Sequence, residues 1–319
     1  MPKPQVLLDV ALPDFVEAMF TAHCDLLPWR TLTGSVGELP DIDAILSFAH
    51  TSIGAAELSR LPAVKVVSNY GAGVDHIDVA AVESFGVPVG NTPGTVDGAT
   101  ADQTMALMLA VARNTVRGNT YARSAEFLAF DPAFMLGTDV FGATLGIIGM
   151  GRIGKAVAKR AAGFDMQVLY YNRNRDEAAE AELGVRYVSM DELITQSDFV
   201  CLNVPYTAQT DKLIGEAQLR AMKPTAFLIN TARGGVVDTD ALLCALNEGW
   251  IAGAGLDVTE PEPLPRDHPL LQVENLVLTP HSGTSTVGTR IRMGEIALEN
   301  LLAGLAGKAL PHRVVSSAG

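Results

Sequence analysis

From Gly146 to Gly154 the chain reads Gly-Ile-Ile-Gly-Met-Gly-Arg-Ile-Gly. The apolar run Ala143-Thr144-Leu145-Gly146-Ile147-Ile148 leads into it with strand character, and Lys155 to Arg160 continues beyond it as a helical pattern. Three glycines at this spacing, set between a strand and a helix, constrain the local fold severely. Gly149 permits a tight turn, Gly151 lets backbone approach a pyrophosphate, and Gly154 lets the helix pack closely on the strand. An anion would then lie at the helix N-terminus beside Arg152 and Ile153, where free N–H groups and the helix dipole favour negative charge. A plain glycine-rich turn with no ligand is the competing reading. The strand before and the helix after favour a dinucleotide site.

The rest of the chain alternates short strands with helical segments. Before the glycine turn, strands are expected at Gln5–Leu8, Ala44–Phe48, Val64–Ser68 and Val87–Val89, with helices over Pro13–Phe20 and Gly54–Arg60. Asp97 to Arg113 reads as one long helix, apolar enough to be buried between domains or subunits. After the turn, six strands are expected: Leu145–Ile148, Gln167–Tyr171, Phe199–Asn203, Ala226–Asn230, Ala252–Asp257 and Leu276–Leu278. Such alternation implies parallel sheets covered by helices on both faces. Thr286 to Leu305 is helical again and is expected to return to the first domain. The fold class is therefore α/β with two doubly wound domains. A Rossmann cofactor domain over 98–285 is inserted in a flavodoxin-like substrate domain made of 1–97 and 286–319.

Charge and cysteine usage narrow the partners. A net charge of −13 argues against nucleic acid or an anionic membrane surface, while a local basic site can still hold a small anion. No apolar run approaches the roughly 18 residues needed to span a bilayer. The start Met1-Pro2-Lys3-Pro4-Gln5-Val6 lacks the pattern of a signal peptide. Three widely spaced cysteines, Cys24, Cys201 and Cys244, indicate neither a disulfide framework nor a metal site. A cytoplasmic enzyme without a metal is the expectation.

Three segments sit at predicted strand ends, where ligands bind in open α/β sheets. Asn230-Thr231-Ala232-Arg233-Gly234-Gly235 presents an arginine whose fork can pair with a carboxylate, or can simply be solvated. Asp257-Val258-Thr259-Glu260-Pro261-Glu262-Pro263 is acidic and proline-stiffened, which also describes an ordinary surface loop. Thr279-Pro280-His281-Ser282-Gly283 places a histidine just past a strand, facing either a cleft or solvent. Taken together, they supply an anion anchor, a carboxylate and an acid/base group at the ends of successive strands. Hydride transfer to a carbonyl needs that set, because the oxygen gains a proton as the carbon gains hydride. Imidazole titrates near neutrality and suits that task.

With Asn69-Tyr70-Gly71-Ala72-Gly73-Val74-Asp75-His76-Ile77-Asp78 in the first domain, these segments resemble the D-isomer-specific 2-hydroxyacid dehydrogenases, in order and over essentially the whole chain. Within that family the chain looks most like glyoxylate/hydroxypyruvate reductases. The resemblance implies that Arg233 binds the substrate carboxylate and keto oxygen, and that His281 is the proton donor. It implies Glu262 as the carboxylate that bonds His281 and favours its protonated form, with Glu260 the competitor on spacing. The backbone N–H groups of Gly71, Ala72 and Gly73 would hold the substrate carboxylate, which an anion nest can do on physical grounds alone. Asp257 would meet the nicotinamide carboxamide, and Val204, Pro205, Thr210, Thr231, Ala232 and Gly283 would line the cofactor, with Thr104 a further candidate. Thr259, Asn203 and Ser282-Gly283-Thr284 depart from the common family pattern, which bears on substrate fit.

Asn172-Arg173-Asn174-Arg175 bears on whether the cofactor carries a 2′-phosphate. An NAD-specific fold places Asp or Glu about 20 residues past the glycines. Here Asn172 stands there, followed by two arginines that can pair with a 2′-phosphate. NADP(H) is therefore expected over NAD(H), although Asp176 and Glu177 can partly neutralise those arginines. The expected reaction is NADPH-dependent reduction of a short 2-keto acid, glyoxylate or hydroxypyruvate, to the D-2-hydroxy acid. The alternatives are a bulkier aromatic or sugar-derived keto acid, or a non-catalytic nicotinamide-sensing protein of the same fold. Formate or phosphite oxidation is a further possibility on this scaffold. The loop Ala49-His50-Thr51-Ser52 and the stretch Phe134-Met135-Leu136 are candidates for setting pocket size, and Arg290 for reaching the substrate or an interdomain ion pair. The long helix and the apolar segment Phe127–Leu136 suggest a homodimer, which the resemblance supports.

Overall fold

The computed structural model describes residues 2–34, 41–48 and 51–315. Ala49 and His50, considered above for pocket size, lie outside the described residues. The chain divides into two compact units, Met1–Val96 with Ser285–Gly319, and Asp97–Thr284.

Among the described residues the first unit is built on five strands: β1 (Gln5–Leu8), β2 (Asp25–Pro28), β3 (Ala44–Ser47), β4 (Val66–Asn69) and β5 (Val89–Gly90). They are all parallel, in the order β2-β1-β3-β4-β5. That is the flavodoxin-like order, whose ligand crevice lies at the carboxyl ends of the strands. β3 and β4 are buried at all four positions, as a parallel sheet covered on both faces requires. The long helix Val287–Leu305 packs on β4, and Gly304 makes the approach possible, since a Cβ there would overlap the Val66 side chain. Polar bonds fix the helix in place: Ser68 Oγ donates to Ala297 O at 2.8 Å, and Tyr70 Oη to Arg290 O at 2.7 Å.

The second unit carries seven strands: β6 (Thr144–Ile148), β7 (Gln167–Tyr171), β8 (Arg186–Tyr187), β9 (Phe199–Leu202), β10 (Phe227–Asn230), β11 (Gly253–Leu256) and β12 (Leu276–Leu278). Their order is β12-β11-β10-β9-β6-β7-β8, again all parallel. The strand order reverses at β6, which places the glycine turn at the switch point of a doubly wound sheet. Helix Asp97–Ala112 lies against β10 and β11, with Leu107 Cβ only 3.0 Å from where a Cβ on Gly255 would sit.

The structure corrects the expected element list in three places. The second unit has seven strands rather than six, because the two-residue β8 is too short to show any alternation. β2, at the edge of the first sheet, is missed for a related reason: it begins with Asp25, ends with Pro28 and is only partly buried. The helix expected over Gly54–Arg60 is a single turn, Ala55–Leu58. No helix among the described residues is long and apolar enough to cross a membrane.

Candidate active site

The glycine turn does what its spacing suggests. Gly149 has φ +101°, and a Cβ there would lie 2.7 Å from the Asn203 carbonyl carbon and oxygen, so only glycine fits. Gly151 faces open space, leaving its backbone accessible, and it caps the helix Arg152–Ala161. At Gly154 a Cβ would collide with the Gly149 carbonyl, so the third glycine allows the helix to sit on the turn. Both amide atoms of Asn203, the next neighbour, are buried without a hydrogen-bond partner. A cradle that a single Cβ would fill, open backbone at a helix N-terminus and an unsatisfied amide beside it fit a nicotinamide dinucleotide. Val204 is half-buried, Pro205 exposed, and the Thr210 hydroxyl braces their turn by donating to Pro205 O at 2.7 Å.

Asn172 follows β7 directly and lies beside the turn, since Gly149 N donates to Tyr171 O at 2.9 Å. Arg173 and Asn174 are exposed. The fork of Arg175 is already engaged: its Nε and Nη2 donate to the two Glu180 oxygens at 2.8 and 2.7 Å. Tyr170 Oη also donates to Glu180, at 2.8 Å. The Arg175 bonds, and then that of Tyr170, bring the Glu180 carboxyl down to about 2, so the pair is charged throughout the neutral range. The expectation for this loop is corrected accordingly. The carboxylate bonded to Arg175 is Glu180, with Glu177 adding a weaker charge interaction, while Asp176 is held by Lys155 at 2.7 Å. Arg175 is therefore not free to take a 2′-phosphate in this conformation, and Arg173 is left as the candidate.

At the other side of the sheet, β10, β11 and β12 run in register, Asn230 beside Leu256 and Leu256 beside Leu278. Arg233, Asp257 and His281 therefore follow three adjacent strand ends. The Asn230 side chain shapes the arginine loop, accepting from Ala232 N at 3.0 Å and donating to Arg233 O at 2.9 Å. His281 Nδ1 lies 2.8 Å from Glu262 Oε1, whereas the Glu260 backbone carbonyl accepts from Thr239 Oγ1. Thr231 is buried, and its hydroxyl meets that of Thr104 at 2.8 Å. Thr104 is fully buried and also donates to Thr100 O, so it supports Thr231 and presents no atom to a ligand. Gly283 N donates to Asp257 Oδ2 at 2.7 Å.

In the first unit, the Gly71-Ala72-Gly73 loop is held by its carbonyls. Asn69 Nδ2 donates to Gly71 O and Gly73 O at 2.9 and 2.7 Å, and Asn91 Nδ2 to Ala72 O at 2.7 Å. Both asparagines shape the proposed anion nest and were not among the expected site residues. Asn69 ends β4 immediately before the motif, but nothing local marks Asn91, which lies 19 residues downstream. Arg290 stacks over the Phe48 ring at 4.6 Å and donates to Ser285 Oγ at 3.1 Å.

The second unit matches the D-isomer specific 2-hydroxyacid dehydrogenase NAD binding domain over residues 105–283. A glyoxylate reductase of Korarchaeum cryptofilum (strain OPF8) is 46% identical over 318 residues, covering 98% of this chain and 96% of that protein. Among solved structures, the TT0316 protein of Thermus thermophilus superposes with a TM-score of 0.89 at 42% identity, over 98% of this chain and all of that one (100%). An NADPH-dependent glyoxylate/hydroxypyruvate reductase of Sinorhizobium meliloti, solved with NADP and malonate, gives a TM-score of 0.87 at 29% identity, covering 98% and 97% of the two chains.

Proposed function

We propose, from the premise that this chain belongs to the D-isomer specific 2-hydroxyacid dehydrogenase family, that it reduces glyoxylate or hydroxypyruvate to the D-2-hydroxy acid with NADPH as the preferred cofactor. The observation that carries the reading is the 2.8 Å contact between His281 Nδ1 and Glu262 Oε1 at the end of β12, two strands from the arginine that follows β10. A nicotinamide held there would supply hydride to the keto carbon. His281 gives the proton that the carbonyl oxygen needs. With Nδ1 directed to the carboxylate, proton transfer to the substrate falls to Nε2, and Glu262 stabilises the imidazolium. Arg233 binds the substrate carboxylate and polarises the keto oxygen, roles that a planar guanidinium combines. The N–H groups of Gly71, Ala72 and Gly73, in the first unit, form an anion nest suited to a carboxylate.

The glycine cradle of Gly149, Gly151 and Gly154 holds the dinucleotide pyrophosphate at the start of helix Arg152–Ala161. Arg152, Ile153, Val204, Pro205, Thr210, Thr231, Ala232, Asp257 and Gly283 line the remainder of that site. Asn172 and Asn174 would hold the adenosine ribose, and Arg173 the 2′-phosphate. Initial rates at 340 nm with each cofactor and each keto acid test the reading. Replacing Arg173 by alanine is expected to reduce the NADPH-over-NADH ratio of kcat/KM by about tenfold or more, the value of a hydrogen bond to a charged group. Arg175→Ala should change it less than about threefold, because Glu180 already holds that fork. Equal use of the two cofactors by the unaltered enzyme would overturn the NADPH preference and leave the acid/base assignment standing.

We further propose that the enzyme is a homodimer joined through residues 127–136. Phe127, Leu128, Phe130, Phe134 and Leu136 are all exposed there, an apolar concentration unusual on an isolated chain. Sedimentation should give twice the 33.7 kDa chain mass, and L128E/F130D should sediment as a single chain. A monomeric unaltered enzyme at micromolar concentration would refute the dimer.

A further inference from the structure

His281 has φ +52°, a left-handed conformation that a non-glycine residue keeps only where its surroundings hold it. Besides the Glu262 contact of its ring, most of the bonds that hold it converge on Asp257. Three consecutive amides point there: His281 N to the Asp257 backbone carbonyl at 2.8 Å, Ser282 N to Oδ1 at 2.8 Å, and Gly283 N to Oδ2 at 2.7 Å. The Ser282 hydroxyl reaches Oδ1 at 3.2 Å. Thr279 Oγ1 donates to the same oxygen at 2.6 Å and in turn accepts from Gln103 Nε2 at 2.9 Å, on the helix Asp97–Ala112. Gln103 also reaches Ser282 Oγ, at 3.4 Å. Asp257 is only 3% exposed, so its charge depends on these donors rather than on water.

We propose that Asp257, Thr279 and Gln103 form a clamp that holds the 281–283 backbone with His281 in its left-handed conformation and so keeps the imidazole of His281 aimed for proton transfer. The inference rests on the reading of His281 as proton donor, and gives Thr279 and Gln103 positioning roles. It also gives Asp257 a second duty besides the nicotinamide. Oδ1 is committed to the loop, while Oδ2 accepts one bond and keeps a lone pair for a carboxamide. A carboxyl side chain suits this place, because its two oxygens together can receive two backbone N–H groups and two hydroxyls.

The test uses the full-length enzyme with Thr279→Val, Thr279→Ser, Gln103→Leu and the double variant Q103L/T279V. Thr279→Val removes the hydroxyl at nearly constant volume and leaves every group assigned to cofactor or substrate in place. Amide hydrogen exchange over 279–284, measured without cofactor, should accelerate about tenfold in Thr279→Val and Gln103→Leu, as expected when local opening becomes easier. With NADPH and glyoxylate, kcat should fall by about tenfold while KM and the cofactor Kd stay within about twofold, the pattern of a misaimed catalytic group. Thr279→Ser should restore both readouts, and the double variant should be little worse than Thr279→Val, since Gln103 acts mainly through Thr279 at 2.9 Å and its Ser282 contact is the longer one at 3.4 Å. Unchanged exchange in Thr279→Val, or a loss confined to cofactor Kd, overturns the clamp. Failure of the underlying reading is distinguishable: His281→Asn with undiminished kcat removes the proton-donor role, while the exchange result still reports on the clamp itself.

Discussion

Replacing His281 by asparagine should lower kcat for glyoxylate by roughly 10²- to 10⁴-fold, the usual contribution of a positioned general acid. Asparagine is the informative choice because of the backbone. His281 sits at φ +52°, and Asn is one of the few residues that enter this region readily. Alanine would add conformational strain to the loss of the proton donor and confuse the two. The Asp257 bonds to residues 281–283 are backbone bonds or involve Ser282, so the loop should persist in His281→Asn. Cofactor Kd should accordingly stay within about threefold of the unaltered enzyme, since a surviving loop leaves the dinucleotide contacts in place. Glu262→Gln should show a smaller loss, because the amide can still accept the Nδ1–H bond while the charge that favours the imidazolium is gone. A variant that keeps more than about a tenth of the original kcat would mean that proton transfer comes from elsewhere, for a positioned acid contributes at least a hundredfold.

A second large effect is expected at a residue with no side chain. Gly234 follows Arg233 and lies against the backbone of the acidic loop. A Cβ on it would overlap the Thr259 carbonyl and come within 2.6 Å of Glu260 N. Backbone cannot swing aside as the end of a flexible side chain can, so Gly234→Ala should force the two loops apart. One carries Arg233, and the other runs on to Glu262, three residues beyond the contact. A displacement of about 1 Å at a catalytic group is enough to cost roughly 10²-fold. We expect kcat/KM to fall by about that factor, with a lowered Tm from overpacking that costs about 1–3 kcal/mol. Cofactor affinity should fall less than kcat/KM, because the pyrophosphate cradle after β6 is on another strand, although Thr231 and Ala232 lie on the displaced loop. Activity within about threefold of the original, which is far from the 10²-fold of a misplaced group, would show that the loops can absorb a methyl group without moving the site.

Much of this architecture is readable from local pattern, for a reason that can be named residue by residue. Leu145–Ile148, Phe227–Ile229 and Gly253–Leu256 are continuous small and apolar runs because the strands are covered on both faces. All strands in each unit being parallel, every carboxyl end falls on one edge. Arg233, Asp257 and His281 can therefore be placed together once three strands are recognised. The glycine spacing is equally legible, because each glycine answers a local demand: a positive φ at Gly149, open backbone at Gly151, and contact with the preceding turn at Gly154. The strands that escaped notice, Asp25–Pro28 and Arg186–Tyr187, are edge or two-residue elements with too few buried positions to leave a period.

What the chain determines by itself is thus the strand order's raw material, the switch-point turn and the set of chemical groups at the strand ends. The tertiary structure alone decides which of those groups meet. It pairs Glu262 rather than Glu260 with His281, gives the Arg175 fork to Glu180, and ties Asn91 to the Ala72 carbonyl. It also wraps three successive amides around Asp257 and sets Gly234 against Thr259. Periodicity reports the face and the end of an element, since those follow from burial averaged over several residues. A hydrogen bond of 2.8 Å between loops 19 or more residues apart depends on one rotamer and one path of the backbone. Those are fixed only when the whole sheet has brought the loops together.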